Sequence, residues 1–96
     1  MNGLPAIHPG EFLSEILDEY GVSQAAFARG IGVTPMQISH VVNGQRRVSA
    51  DLALLFGEAF GQSPEYWVNL QSAFDLKVAA KELKPKLKAV RKLVAA

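Results

Sequence analysis

The chain has 96 residues, 49% of them hydrophobic, with a formal net charge of +1. That supports one modest core and no more, and it is too apolar for a disordered segment. With no cysteine and only His8 and His40, a disulfide framework and a thiolate metal site are excluded, and any all-protein zinc centre would have to be completed by carboxylates. No apolar run approaches the ~18 residues of a membrane span, and the start MNGLPAIHPGE lacks the basic opening and long apolar centre of a secretory signal, so a soluble cytoplasmic protein with no membrane partner is expected. The small net charge hides an asymmetry. Residues 1–76 carry eight acidic and three basic side chains, whereas residues 77–96 carry seven basic and one acidic.

The first helix is expected from Pro9 to about Tyr20, with Phe12, Leu13, Ile16, Leu17 and Tyr20 at helical spacing and Gly21 as its stop. His8, just before Pro9, reads as a structural residue that fixes the entry to this helix. Ser23 is a good N-cap for a second helix, Gln24 to Ile31, which contains no proline and ends at Gly32. Thr34 and Pro35 open a third, because Thr caps well and the missing N–H of proline costs nothing at the first helical position. It runs to about Val42, and Asn43-Gly44 supplies the exit. Ile38, Val41 and Val42 recur at helical spacing, while Met36, Gln37, Ser39 and His40 fall elsewhere on the cylinder. Ala28 provides the small side chain that two steeply crossing helices need near a tight turn.

This pair of short helices is the way a protein places a helix in the major groove of DNA. Two such helices also occur in domains that never touch nucleic acid, and charge placement favours the DNA reading. From Gly21 to Ala50 there are three basic residues, Arg29, Arg46 and Arg47, and no acidic one. A surface that meets phosphates is expected to look like this.

Ser49, with Asp51 at the positive end of the helix dipole, opens a fourth helix whose Leu52, Leu55, Phe56, Ala59 and Phe60 form a core-facing stripe before Gly61. Ser63-Pro64-Glu65 repeats the pattern and begins a long fifth helix, about Pro64 to Leu83. It carries two apolar stripes, Trp67, Leu70, Phe74 and Val78 in one, Tyr66, Ala73, Leu76 and Ala80 in the other. One core does not need both. A homodimer built on Tyr66, Trp67, Leu70, Ala73 and Phe74 is the economical expectation, with paired recognition helices about 34–36 Å apart. Pro85 interrupts the pattern, and the tail KPKLKAVRKLVAA reads as a short amphipathic helix or a frayed basic end. The domain is therefore placed at residues 1–83 and the basic tail at 84–96.

An enzyme is disfavoured. No nucleophile stands in a motif with a paired histidine and acid, and there is no glycine-rich phosphate loop or HExxH spacing, so no cofactor is expected.

The segment SQAAFARGIGVTPMQISHVVNGQRRVSAD resembles the phage-repressor (Cro-like, XRE) helix-turn-helix family. The flanking IHPGEFLSEIL, SADLAL and SPEYWVNLQSAFDL resemble HigA-type antitoxins of bacterial toxin–antitoxin modules, the likeness extending over about residues 6–78. It implies an all-α, five-helix domain, lambda-repressor-like, that dimerises, binds double-stranded operator DNA of its own operon and neutralises a HigB-type mRNA-cleaving toxin. By the same resemblance Gln24, Arg46 and Arg47 are phosphate contacts, and Thr34, Met36, Gln37 and His40 face phosphate or base edges. Pro35 and Met36 depart from the pattern, since polar glutamines often read bases there. Direct readout then rests on Gln37, His40 and a Met36 contact to a thymine methyl, with DNA shape supplying the rest. A basic, RNA-binding toxin would suit the acidic first helix, Glu11, Glu15, Asp18 and Glu19. The alternative is a stand-alone helix-turn-helix regulator with no toxin partner.

Overall fold

The computed structural model describes residues 5–94; the first four residues of the N-terminal lead and the last two of the basic tail lie outside this range. Among the described residues there are six helices and no strand: α1 (Pro9–Tyr20), α2 (Gln24–Ile31), α3 (Pro35–Val42), α4 (Ala50–Phe60), α5 (Pro64–Glu82) and α6 (Lys84–Ala89). The all-α expectation holds, with α6 as the short C-terminal helix.

Each of the first five helices starts on a side chain that satisfies an otherwise unpaired backbone amide. Ser23, Thr34, Ser49 and Ser63 accept from Ala26, Gln37, Leu52 and Glu65. For α1 the capping residue is His8, whose Nδ1 accepts from the Gly10 amide at 2.9 Å. α1 ends at Gly21 (φ 65°) and α2 at Gly32 (φ 82°), left-handed positions that glycine adopts without steric cost.

The core is the meeting of α1, α2, α3 and α4 with the first half of α5. Leu13, Ala28, Ile38, Val41, Ala53, Phe56 and Trp67 are fully buried. Phe56 stands edge-on to Trp67 at 5.1 Å and tilted against Phe27 at 5.6 Å, so three helices share one aromatic cluster. α1 crosses α3 at Gly10, where even a methyl group would overlap the carbonyl oxygen of Val41. The HPGE sequence thus has a physical meaning: a capping histidine, a proline at the first helical position, a glycine at the crossing and an acid near the helix's positive end.

Trp67 corrects the dimer expectation. It is 0% exposed within one chain, and its Nε1–H donates to Gln62 Oε1 at 3.0 Å. α4 covers this part of α5, so no partner copy can reach the indole. Beyond Glu82 the chain becomes solvent-exposed: α6 is six residues long with no buried side chain and no side-chain cap, and Leu83 marks the break that Pro85 makes necessary.

Candidate nucleic-acid interface

α2 and α3 are joined by the turn Gly32–Thr34, with the Val33 amide donating to Ala28 O at 2.9 Å. The buried Ala28 leaves room for α3 to pack close to α2. Ile38 and Val41 of α3 point into the core, so the opposite side of a 3.6-residue helix presents Pro35, Met36, Ser39 and His40 outward. Pro35 and Met36 are exposed, Met36 at 67%, and Ser39 and His40 are half-buried.

The helix is anchored at its N-terminus by a reciprocal capping box. Thr34 Oγ1 accepts from the Gln37 amide at 3.2 Å, and Gln37 Oε1 accepts from the Thr34 amide at 3.0 Å. This restricts what Gln37 can read. Bidentate recognition of adenine needs the side-chain oxygen and nitrogen together, and the oxygen is occupied by the cap, leaving the Nε2 donor for an acceptor such as guanine O6 or N7. Ser39, absent from the candidate base contacts on sequence grounds, lies between Pro35 and His40 on the same outward surface; its Oγ accepts from Asn43 Nδ2 at 3.4 Å.

At the other end the chain folds back on α3. The amides of Gln45 and Arg46 both donate to His40 O, at 2.8 and 3.1 Å, which ties the arginine loop to the last turn of the helix. Gly44 (φ 76°) allows the reversal. Gln24, at the first position of α2, is exposed, as are Thr34, Arg46 and Arg47.

The loop is not as acid-free in space as it is in sequence. Asp75 of α5 reaches it, with Oδ2 accepting from Arg47 at 3.0 Å. One turn earlier the buried Gln71 accepts from the Val48 amide at 2.7 Å through Oε1 and donates to Asp75 Oδ1 at 2.9 Å through Nε2. Sequence reasoning missed both residues. A signal was present in Gln71, which interrupts the apolar stripe Trp67, Phe74, Val78 at helical spacing; a polar side chain at a core position must have a partner.

His8 lies beneath the loop. Its ring stands edge-on to Phe74 at 4.9 Å and is the nearest group to the open face of Gly44. Burial lowers its pKa below the usual 6.5, with Asp75 and Glu11 pulling in the opposite direction. The neutral form is the one its cap requires, since Nδ1 must accept.

The remaining candidates fall on two other surfaces. Glu11, Glu15, Asp18 and Glu19 are exposed and share one face of α1 opposite the buried Leu13 and Leu17. On α5, Tyr66 (40%) and Leu76 (68%) are exposed together with Ala73. Leu70 and Phe74 are half-buried and line an open hollow of about 130 Å³ with Ile7, Phe12, Ala73 and Lys77. No group of three or more His, Cys, Asp or Glu able to hold a metal ion occurs among the described residues, nor any helix long and apolar enough to cross a membrane.

The family comparison agrees with this geometry. Residues 13–67 match the helix-turn-helix family model HTH_3. The antitoxin HigA of Pseudomonas aeruginosa, solved with the higBA promoter, is 35% identical and superimposes with a TM-score of 0.88, covering 94% of this chain and 99% of that one. The chain belongs to the helix-turn-helix family, among the HigA-type antitoxins. HigA-type proteins are DNA-binding regulators, not enzymes. A second structure, the antitoxin GraA in complex with its operator, is 40% identical with a TM-score of 0.88, covering 99% of this chain and 98% of that one. Virulence-associated protein I of Dichelobacter nodosus is 43% identical over 82 residues, 84% of this chain and 76% of its own length.

Proposed function

We propose that this protein is an autoregulating antitoxin, a homodimer that binds operator DNA of its own operon through α3 and neutralises a HigB-type mRNA-cleaving toxin. The observation that carries the reading is the α3 unit itself. A capped helix presents Met36, Ser39 and His40 outward and is followed by an arginine loop bonded to its last turn, within a fold shared over nearly its whole length with antitoxins solved on promoter and operator DNA.

Phosphate contacts come from Arg46 and Arg47 on one side of α3 and from Gln24 and Thr34 on the other. Met36 and His40, with the free Nε2 of Gln37, supply a short direct readout, and sequence-dependent DNA shape supplies the remainder. Tyr66, Ala73 and Leu76, with Leu70 and Phe74 around the hollow, form the contact between two copies. The acidic face of α1 meets the basic toxin, where opposite charge speeds encounter and selects the partner.

The test is co-expression with the neighbouring open reading frame. The expected result is a complex of the two proteins in which the partner's RNA-cleaving activity is suppressed. Separate elution of the two proteins and undiminished cleavage would refute the antitoxin reading and leave a stand-alone regulator.

A further inference from the structure

We propose that Asp75 is an intramolecular stand-in for a DNA phosphate: it holds Arg47 in the free protein and limits the affinity of the arginine loop for DNA of any sequence. The inference rests on the DNA-binding reading above. It starts from the line of contacts Val48–Gln71–Asp75–Arg47, in which two loop residues are tied to two residues one turn apart on α5.

Gln71 is 3% exposed and both ends of its amide are bonded, so the Asp75 carboxylate is held in place from behind. Its other oxygen faces Arg47, and that pair is open to water, with the side chains 63% and 41% exposed. An exposed ion pair is weak and easily exchanged. A phosphate approaching the loop must therefore compete with Asp75 for Arg47, and while the pair is intact that arginine makes no phosphate contact. Arg46, one residue away, forms no ion pair among the described residues and is free to bind phosphate at once. Asp75 thus removes about one cation from the electrostatic count of the loop, the part of the binding energy that carries no sequence information.

The test measures binding of the full chain to two duplexes, one from the DNA upstream of its own gene and one of random sequence, across a salt series. Asp75→Asn should tighten both severalfold at low salt and steepen the log K against log salt slope by about 0.9, the value of one phosphate contact. Asp75→Glu, which keeps the carboxylate, should behave as wild type. In an Arg47→Ala background Asp75→Asn should tighten binding clearly less than it does in wild type and should leave the salt slope nearly unchanged. Weaker binding by Asp75→Asn, an unchanged slope, or an equal shift in the Arg47→Ala background would overturn the proposal. Failure of the wild-type chain to bind either duplex would instead refute DNA binding itself. Melting temperature and elution volume, read on every variant, separate a binding effect from misfolding.

Discussion

Gly10→Ala tests the claim that the first helix is locked directly onto the recognition helix. A Cβ at this position would overlap Val41 O, lie 2.8 Å from Val41 C and 3.0 Å from Val42 Cα. All three atoms are backbone, so no rotamer change relieves the clash; α1 must move away from α3. Overpacking of this kind costs about 1–3 kcal/mol. In a domain of this size each kcal/mol shifts the melting temperature by roughly 4–8 °C, so a loss of about 5–20 °C is expected. Gly30→Ala is the matched control. That glycine is inside α2, has no positive φ, and a Cβ there meets nothing within 4 Å. Alanine should raise stability by about 0.5–1 kcal/mol through its better helix propensity. Thermal unfolding followed by circular dichroism reads both variants. A Gly10→Ala protein that melts within about 2 °C of wild type, or equal losses at the two sites, would refute the packing argument.

Arg46→Ala with Arg47→Ala should weaken DNA binding and flatten its salt dependence, with the greater part of the change from Arg46; an anisotropy titration over a salt series checks this. Stability should fall as pH drops below about 6.5, because the unfolded chain binds a proton at His8 more readily than the folded one does, and the loss should continue through the lowered folded pKa. His8→Asn, which keeps a capping oxygen, should abolish that part of the pH dependence in denaturant melts at pH 5 and 8. If the proposed dimer forms through this face of α5, wild type should run as a dimer in light scattering and Leu76→Glu as a folded monomer. Trp67→Ala should instead cost about 3–5 kcal/mol of stability, because it empties a site closed within one chain.

The helices were readable from their ends. Ser23, Thr34, Ser49 and Ser63 announce the starts, Gly21, Gly32 and Gly61 the stops, and the observed bounds follow them closely because capping is local chemistry between residues two or three apart. The outward face of α3 was equally legible, since Ile38 and Val41 fix which side is buried. Depth was not. Trp67 and Phe74 share a stripe on α5, yet α4 and Gln62 enclose the first while the second sits half-open beside His8. Periodicity reports direction around a helix and is silent on which neighbour covers it.

The candidate site shows the same division. Gln37 stood on the reading side by spacing, but its commitment to the Thr34 amide depends on side-chain geometry that several competing rotamers could have satisfied otherwise. Asp75 and Gln71 belong to a helix far along the chain from the arginines, and only the packing of α5 brings them together. The run without acids from Gly21 to Ala50 was correct as sequence and incomplete as surface.

The central claim, that α3 and its arginine loop recognise an operator, is tested most directly by footprinting the protein on the DNA upstream of its own gene. Protection of two half-sites one helical turn apart, about 34–36 Å centre to centre, is the predicted result, lost for the random duplex at physiological salt. Equal binding of both duplexes, or protection of a single unpaired site, would contradict it.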